Sequence, residues 1–173
     1  TASDFIKSSL SGFFVCLQFL KNNPNYQLTY DIHLIKKRLN AYVESEYEYS
    51  NNTKYTKYDS NQLCNYNACL EFGRYIKTTA EKEGLIYLVC FCGYLEHKKC
   101  MGWRLNYLAE KEGLDKKRYS TYLQYSKNTT EHLVNLALKY NMSKNKKILC
   151  KIVSMVEELN KKELETIMHF LSE

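Results

Sequence analysis

The feature that most constrains the fold is an uncharged run of eleven residues, 85–95, near the middle of the chain. A charged segment follows it directly, beginning at Glu96. The run is too short to span a bilayer, which takes about 20 apolar residues in a helix. It is also too apolar to remain in water. The sequence therefore predicts a buried central helix over 85–100, around which the other segments pack.

Amphipathic segments flank this central run on both sides. Apolar residues recur at intervals of three and four, the spacing of one helix face. The first such segment covers 4–21, and no segment alternates with period two for long enough to predict a strand. The pattern indicates an all-α fold. We expect one domain over 1–173, a compact bundle of about seven to nine helices.

Capping residues set the predicted helix boundaries. Thr129 or Thr130 is expected to begin one helix. Asn160 and Glu163 have the spacing of a capping box and are expected to begin the last helix. The sequence Ala-Glu-Lys-Glu-Gly occurs at both 80–84 and 109–113, and in each copy the glycine is expected to end a helix.

The charge pattern favours a protein partner over nucleic acid. Net charge is +6, with 21 Lys and four Arg, yet most basic residues alternate with Glu along the chain. The locally basic segment is 101–128. The abundance of Tyr (16) and Asn (15) is typical of an AT-rich genome, such as that of a pathogen. The sequence shows neither a signal peptide nor a membrane-spanning run. The compartment stays open, with a secreted or exported protein favoured over a cytoplasmic one.

The seven cysteines raise the question of a metal site. Cys90, Cys92, His97 and Cys100 lie close together in sequence, but zinc requires ligand atoms within about 2.0–2.3 Å of one ion. In a single helix Cys90 and His97 would lie about 10 Å apart along the axis. His97 and Cys100 could form half a site, with Cys64 or Cys69 as a further ligand. The geometry favours free thiols, with no metal and no cofactor.

No catalytic motif is recognisable in the sequence. The four histidines lie far apart, and there is no phosphate-binding loop or HExxH pattern. We therefore predict a non-enzymatic helical module for protein interaction, of the kind that a pathogen secretes or exports to contact a host protein. Two alternatives remain open: a nucleic-acid-binding domain that uses 101–128, and a metal-dependent helical enzyme.

Tyrosines next to lysines mark two candidate contact surfaces. Exposed tyrosine beside Lys or Arg is common at protein interfaces and suits an acidic partner. The first surface is the predicted loop at 47–58, and the second is the segment 116–127. The predicted contact residues are Tyr47, Lys54, Tyr55, Lys57 and Tyr58 in the first, and Lys116, Lys117, Arg118, Tyr119, Tyr122 and Tyr125 in the second.

Overall fold

A computed structural model describes residues 30–44 and 65–173 of the chain, and within these ranges it is helical without any strand. The all-α prediction is confirmed for this part. The five helices are α1 (Ile32–Val43), α2 (Asn65–Glu83), α3 (Leu88–Lys111), α4 (Lys116–Ser143) and α5 (Lys146–Ser172).

These five helices lie in one compact unit, Ile32–Glu173. The predicted helix over 4–21 and the tyrosine-rich segment 47–58 lie outside the described residues. The single domain over 1–173 therefore stays a prediction. None of the helices in the described ranges is long and apolar enough to cross a membrane.

The described residues form five helices rather than seven to nine. Three of the five continue through a predicted boundary: α3 through residue 100, α4 through Thr129 and Thr130, and α5 through Asn160. Thr130 does not cap a helix. Its hydroxyl donates to the carbonyl of Lys127 at 2.8 Å, inside α4. The side chains of Asp115 and Asn145 cap α4 and α5 instead, by accepting a hydrogen bond from the N–H two residues further on. A capping residue type is thus insufficient to predict a helix start.

The repeated Ala-Glu-Lys-Glu-Gly sequence does end a helix in both copies. Gly84 and Gly113 both have φ of +69°, a left-handed conformation that favours glycine. The N–H of Gly84 donates to Ala80 at 2.9 Å, and the N–H of Leu114 donates to Ala109 at 2.9 Å. These bonds satisfy carbonyl groups that the end of a helix leaves free.

The expectation that 85–100 is the most buried segment is wrong. Residues 85–87 precede α3, and Leu85, Tyr87 and Val89 are 42%, 48% and 67% exposed. One face of α3 is buried, at positions that follow helical spacing, such as Phe91, Leu95 and Lys98. An uncharged run therefore does not require burial on every side.

The core consists of two groups of buried side chains. The first lies among α2, α3, α4 and α5 and includes Phe91 and Ile152. The second includes Leu105 and Phe170, and the apolar residues of α1 pack against it from outside. No residue of α1 is fully buried, so this helix covers the bundle without entering its centre.

Candidate functional site

A charged pair lies inside the bundle. The Nζ of Lys98 in α3 is 2.6 Å from Oε1 of Glu163 in α5, and neither side chain is exposed to solvent. Lys98 follows Phe91 and Leu95 on the buried face of α3, while Glu163 follows Leu159 on that of α5. Helical spacing therefore places both charges in the core, although their residue types suggest a solvated surface.

Two tyrosines complete the hydrogen bonds of this carboxylate. The hydroxyl of Tyr42, in α1, donates to Oε1 of Glu163 at 2.7 Å. The hydroxyl of Tyr122, in α4, donates to Oε2 at 3.2 Å. With Lys98, Glu163 thus accepts from three other helices. No buried side-chain nitrogen or oxygen in the described ranges lacks a partner, as the cost of burying polar groups requires.

The Tyr42 hydroxyl lies at the centre of a second group of contacts. It is 3.2 Å from Nε2 of His97 and 3.4 Å from Sγ of Cys69. Burial, and then the negative charge of Glu163, raises the pKa of Tyr42 well above its usual range. The phenol therefore stays protonated at neutral pH and serves as a donor to the carboxylate.

Asn160 extends the polar cluster and corrects the predicted capping box. Its Oδ1 accepts from the Tyr94 hydroxyl at 2.6 Å, and its Nδ2 donates to the carbonyl of Cys69 at 2.8 Å. The hydroxyl of Tyr66 donates to the Asn160 carbonyl at 3.2 Å. Residues three apart on a helix share a face. Asn160 and Glu163 therefore both point inward, and they join α5 to its neighbours.

His97 lies at the edge of the cluster and is partly buried. Burial is the main cause that lowers its pKa below the usual 6.5. The positive charges of Lys98 and Arg104 lower the pKa further, while Glu163 opposes them. The imidazole is accordingly neutral at pH 7 and can exchange a hydrogen bond with Tyr42 without adding charge to the interior.

Three side chains of the cluster are of residue types that bind metal ions in proteins. Ligand atoms of Cys69, His97 and Glu163 all lie within 4.8 Å of one another. The Tyr42 hydroxyl, however, lies among these three ligand atoms, 2.7–3.4 Å from each. These distances are hydrogen-bond lengths, whereas the ligands of a zinc ion lie about 2.0–2.3 Å from it. The phenol group thus fills the position that an ion would need. Cys100, the partner that the sequence suggested for His97, does not belong to this group.

An open cavity of about 480 Å³ lies between α1 and α3, next to the cluster. Tyr42 and His97 are members of the polar cluster and also line the cavity, so they lie between the cavity and Glu163. The walls are mostly apolar, with two arginines, one from each helix. The remaining lining residues are Ile35, Arg38, Leu39, Met101, Arg104, Leu105, Tyr107 and Leu108.

Two exposed aromatic rings lie one turn apart on α3. Trp103 is 48% exposed and Tyr107 is 52% exposed. The ammonium of Lys127 lies 5.5 Å from the centre of the Trp103 ring, and that of Lys111 lies 5.6 Å from the centre of the Tyr107 ring. We call these four residues the Trp103 face. Sequence reasoning missed its aromatic residues, although the four-residue spacing within the basic segment 101–128 could have indicated them.

No family model, curated protein or solved structure matches the chain. Function is therefore inferred from the chemistry of the buried cluster, the cavity and the Trp103 face.

The structure corrects the predicted contact surface at 116–127. Tyr119 and Tyr122 are only 1% and 5% exposed, so they belong to the core. The Tyr119 hydroxyl lies 3.1 Å from Nδ1 of His169, and Tyr122 bonds to Glu163. Their spacing of three places both on the inward face of α4. Tyrosines next to lysines in sequence can therefore face the opposite side of a helix.

The other predicted contact residues fall into two groups. Tyr125 is partly buried, with the Lys162 ammonium 4.1 Å from the centre of its ring. The basic side chains near the start of α4 are exposed and remain available to a partner; they are Lys116, Lys117 and Arg118. The residues of the first predicted surface lie outside the described ranges; they are Tyr47, Lys54, Tyr55, Lys57 and Tyr58.

The described cysteines do not pair with one another. All five are free thiols, as the sequence favoured, and they range from buried Cys69 to exposed Cys90 and Cys150. Cys90 and Cys92 take no part in the cluster around Tyr42. The polar interior is therefore held by hydrogen bonds and one ion pair within the described residues.

Proposed function

We propose that this chain is a non-enzymatic helical interaction module that binds an acidic protein partner through the Trp103 face. The observation that carries the proposal is the pair of exposed rings, Trp103 and Tyr107, each beside a lysine ammonium. Aromatic side chains anchor protein interfaces because they bring a large contact area with little conformational entropy to lose.

The charges around the two rings favour an acidic partner. Lys111 and Lys127 contribute positive charge at the rings themselves, and exposed Arg104 follows Trp103 in the chain. Positive charge around an aromatic anchor increases the rate of association with an acidic surface. The exposed side chains of Lys117 and Arg118 extend this charge to the start of α4, next to Lys116, which is paired with Glu110.

The buried ionisable groups support a non-enzymatic role. Lys98 and Glu163 are inaccessible to solvent and bind each other. Tyr42 and Tyr122 occupy further positions on the same carboxylate. Each of these groups has a structural partner, and none is both exposed and poised for proton transfer to a substrate.

The two alternative functions receive less support. Single-stranded nucleic acid also stacks on exposed aromatic rings beside basic residues. Acidic residues lie in the same segment, however, and Lys116 pairs with Glu110 at 3.3 Å, which reduces the attraction for phosphate. A metal-dependent enzyme would use Cys69, His97 and Glu163, whose shared space Tyr42 fills.

Site-directed photocrosslinking tests the proposed surface. A photoreactive phenylalanine at position 103 should capture a protein, and the purified partner can then be titrated against variants of the chain. Trp103→Ser should weaken binding by about 2 kcal/mol or more, as expected for an interface anchor. Met168→Ser is the matched control, because Met168 is a similarly exposed apolar residue at 51%, on α5.

Three outcomes would contradict the proposal. Trp103→Ser and Met168→Ser could have equal effects, or the crosslinked species could be nucleic acid. A steep fall of affinity with salt, of the size that several phosphate contacts produce, would also favour nucleic acid. Melting temperatures of both variants should match that of the unmodified chain, since both side chains are about half exposed.

A further inference from the structure

We propose that the cavity between α1 and α3 binds a small anionic amphiphile, a molecule with an apolar chain and a carboxylate or phosphate headgroup. The apolar walls, a volume of about 480 Å³ and two arginines that form no ion pair with the described part of the chain together favour this ligand class. The cavity borders the Trp103 face, since Arg104 and Tyr107 line it, but Trp103 itself does not.

The size and walls of the cavity suit the apolar part of such a ligand. Ligand pockets in proteins typically measure about 300–1,000 Å³ and are lined mainly by hydrophobic side chains. Here α1 contributes Ile35 and Leu39, and α3 contributes Met101, Leu105 and Leu108. An apolar chain in this cavity would lie between the two helices and cover surface that α1 leaves open to water.

The two arginines suit the headgroup. Arg38 comes from α1 and Arg104 from α3, and both are exposed. Across residues 30–44 and 65–173, neither guanidinium forms an ion pair. Among the described residues, no acidic side chain lines the cavity. A guanidinium binds carboxylate or phosphate through two parallel hydrogen bonds, so this pair favours an anion over a neutral or cationic group.

The buried cluster does not repel an anion in the cavity. The carboxylate of Glu163, which Tyr42 contacts from the cavity wall, is paired with Lys98. Tyr42 lies between Glu163 and the cavity, with its hydroxyl donating to the carboxylate. His97 presents a second polar side chain at the same wall. The cavity therefore combines mostly apolar walls with the positive charges of Arg38 and Arg104.

Isothermal titration calorimetry with four probes tests the ligand class. The probes are dodecanoate, dodecyl phosphate, dodecanol and dodecylammonium, each below its aggregation concentration. We expect one or both anions to bind at one per chain, and the alcohol and the amine at least tenfold more weakly. The stronger of the two anions identifies the headgroup. Equal affinity for the alcohol, or several anions per chain, would overturn the proposal.

Substitutions locate the binding site. Arg38→Ala and Arg104→Ala should each weaken anion binding by about tenfold to a hundredfold, in line with the loss of a charged hydrogen bond. Lys139→Ala removes the same charge from an exposed position on α4 outside the cavity and should leave the affinity within twofold. An equal effect of all three substitutions would mean that the probes sense net charge alone, and the proposal would fail.

A cavity-filling variant tests whether the anion binds in this cavity. Leu39→Trp places a larger side chain in the cavity and should abolish anion binding while the melting temperature changes little. Trp103→Ser should leave anion binding intact, so the outcome does not depend on the protein interface. If neither anion binds the unmodified chain, the proposal is wrong.

Discussion

Lys98 and Glu163 form an ion pair inside the helical bundle, with Nζ and Oε1 2.6 Å apart and both side chains removed from solvent. Transferring two charges out of water is costly, and their mutual attraction offsets that cost only with good geometry and further hydrogen bonds. Tyr42 and Tyr122 contribute those hydrogen bonds to the carboxylate. The pair therefore fixes how α1, α3, α4 and α5 are arranged around one point.

Removing one member of the pair should destabilise the protein more than removing both. Lys98→Met leaves Glu163 buried without its cation and should lower the free energy of unfolding by about 3–5 kcal/mol. Adding Glu163→Gln to that variant keeps acceptor and donor groups for the tyrosines but removes the unpaired charge. The double variant should recover part of the loss in urea unfolding. Strictly additive losses would show that the two charges are not coupled.

Charged residues in this core could not have been predicted from the sequence. Lys98 follows an apolar run and reads as the start of a solvated segment, although it has the helical spacing of Phe91 and Leu95. Asn160 and Glu163 fit a capping box as well as they fit one buried helix face. The packing of α5 against α2 and α3 decides whether these residues cap a helix or lie on its buried face, and that packing depends on contacts between residues far apart in the sequence.

Local features of the sequence were more informative. The glycine endings at Gly84 and Gly113 were predicted because left-handed backbone is a property of the residue itself. The all-α class was predicted because helical periodicity recurs along the chain. The cavity could not be predicted, since it requires α1 to lie beside α3, and no short-range pattern specifies that contact.

Two glycines of α3 should respond to alanine in opposite ways. A Cβ at Gly102 would lie 2.9 Å from Oγ of Ser126 and 3.4 Å from Cα of Leu123, so either the Ser126 hydroxyl must leave its bond to the Leu123 carbonyl or α3 and α4 must move apart. Such overpacking costs about 1–3 kcal/mol, which outweighs the gain in helix propensity of about 1 kcal/mol. Gly102→Ala should therefore lower the midpoint of urea unfolding.

Gly93→Ala is the matched control for that substitution. Gly93 lies in the same helix, is exposed, and has nothing within 4 Å of an added Cβ. Alanine there should raise stability by about 0.5–1 kcal/mol, because it restricts the unfolded chain and favours the helix. A gain of similar size at Gly102 would show that α3 and α4 are farther apart than described.

The buried tyrosines should make the protein sensitive to alkali. Burial raises the pKa of Tyr42, Tyr94 and Tyr122 above the usual 10.0. Above pH 10 the unfolded chain loses these protons while the folded chain keeps them. Stability is thus complete below pH 10 and falls as pH rises, by about 1.4 kcal/mol per pH unit for each group.

Absorbance at 295 nm and circular dichroism can follow this transition together. Ionisation of the buried tyrosines should coincide with loss of helix, and Tyr42→Phe should make the fall in stability less steep. Tyr107→Phe is the control, since Tyr107 is exposed on α3. Ionisation of Tyr42 at its ordinary pH with the helices intact would contradict the contact with Glu163.

His97 should make stability depend on pH in the acid range. Burial, with Lys98 and Arg104, lowers its folded pKa below 6.5. The unfolded chain therefore binds a proton at a pH where the folded chain does not, and stability rises with pH in that window. The contribution of His97 is complete above pH 6.5. It is lost as pH falls below 6.5 toward the folded pKa, by up to about 1.4 kcal/mol per pH unit.

His97→Gln keeps a polar partner for Tyr42 and should flatten this part of the curve, measured by urea unfolding between pH 7 and 5. His132→Gln, at an exposed position of α4, should leave the slope unchanged. An NMR titration midpoint for His97 above 6.5 would show that the imidazole is stabilised as a cation by Glu163, and the sign of the prediction would then be wrong.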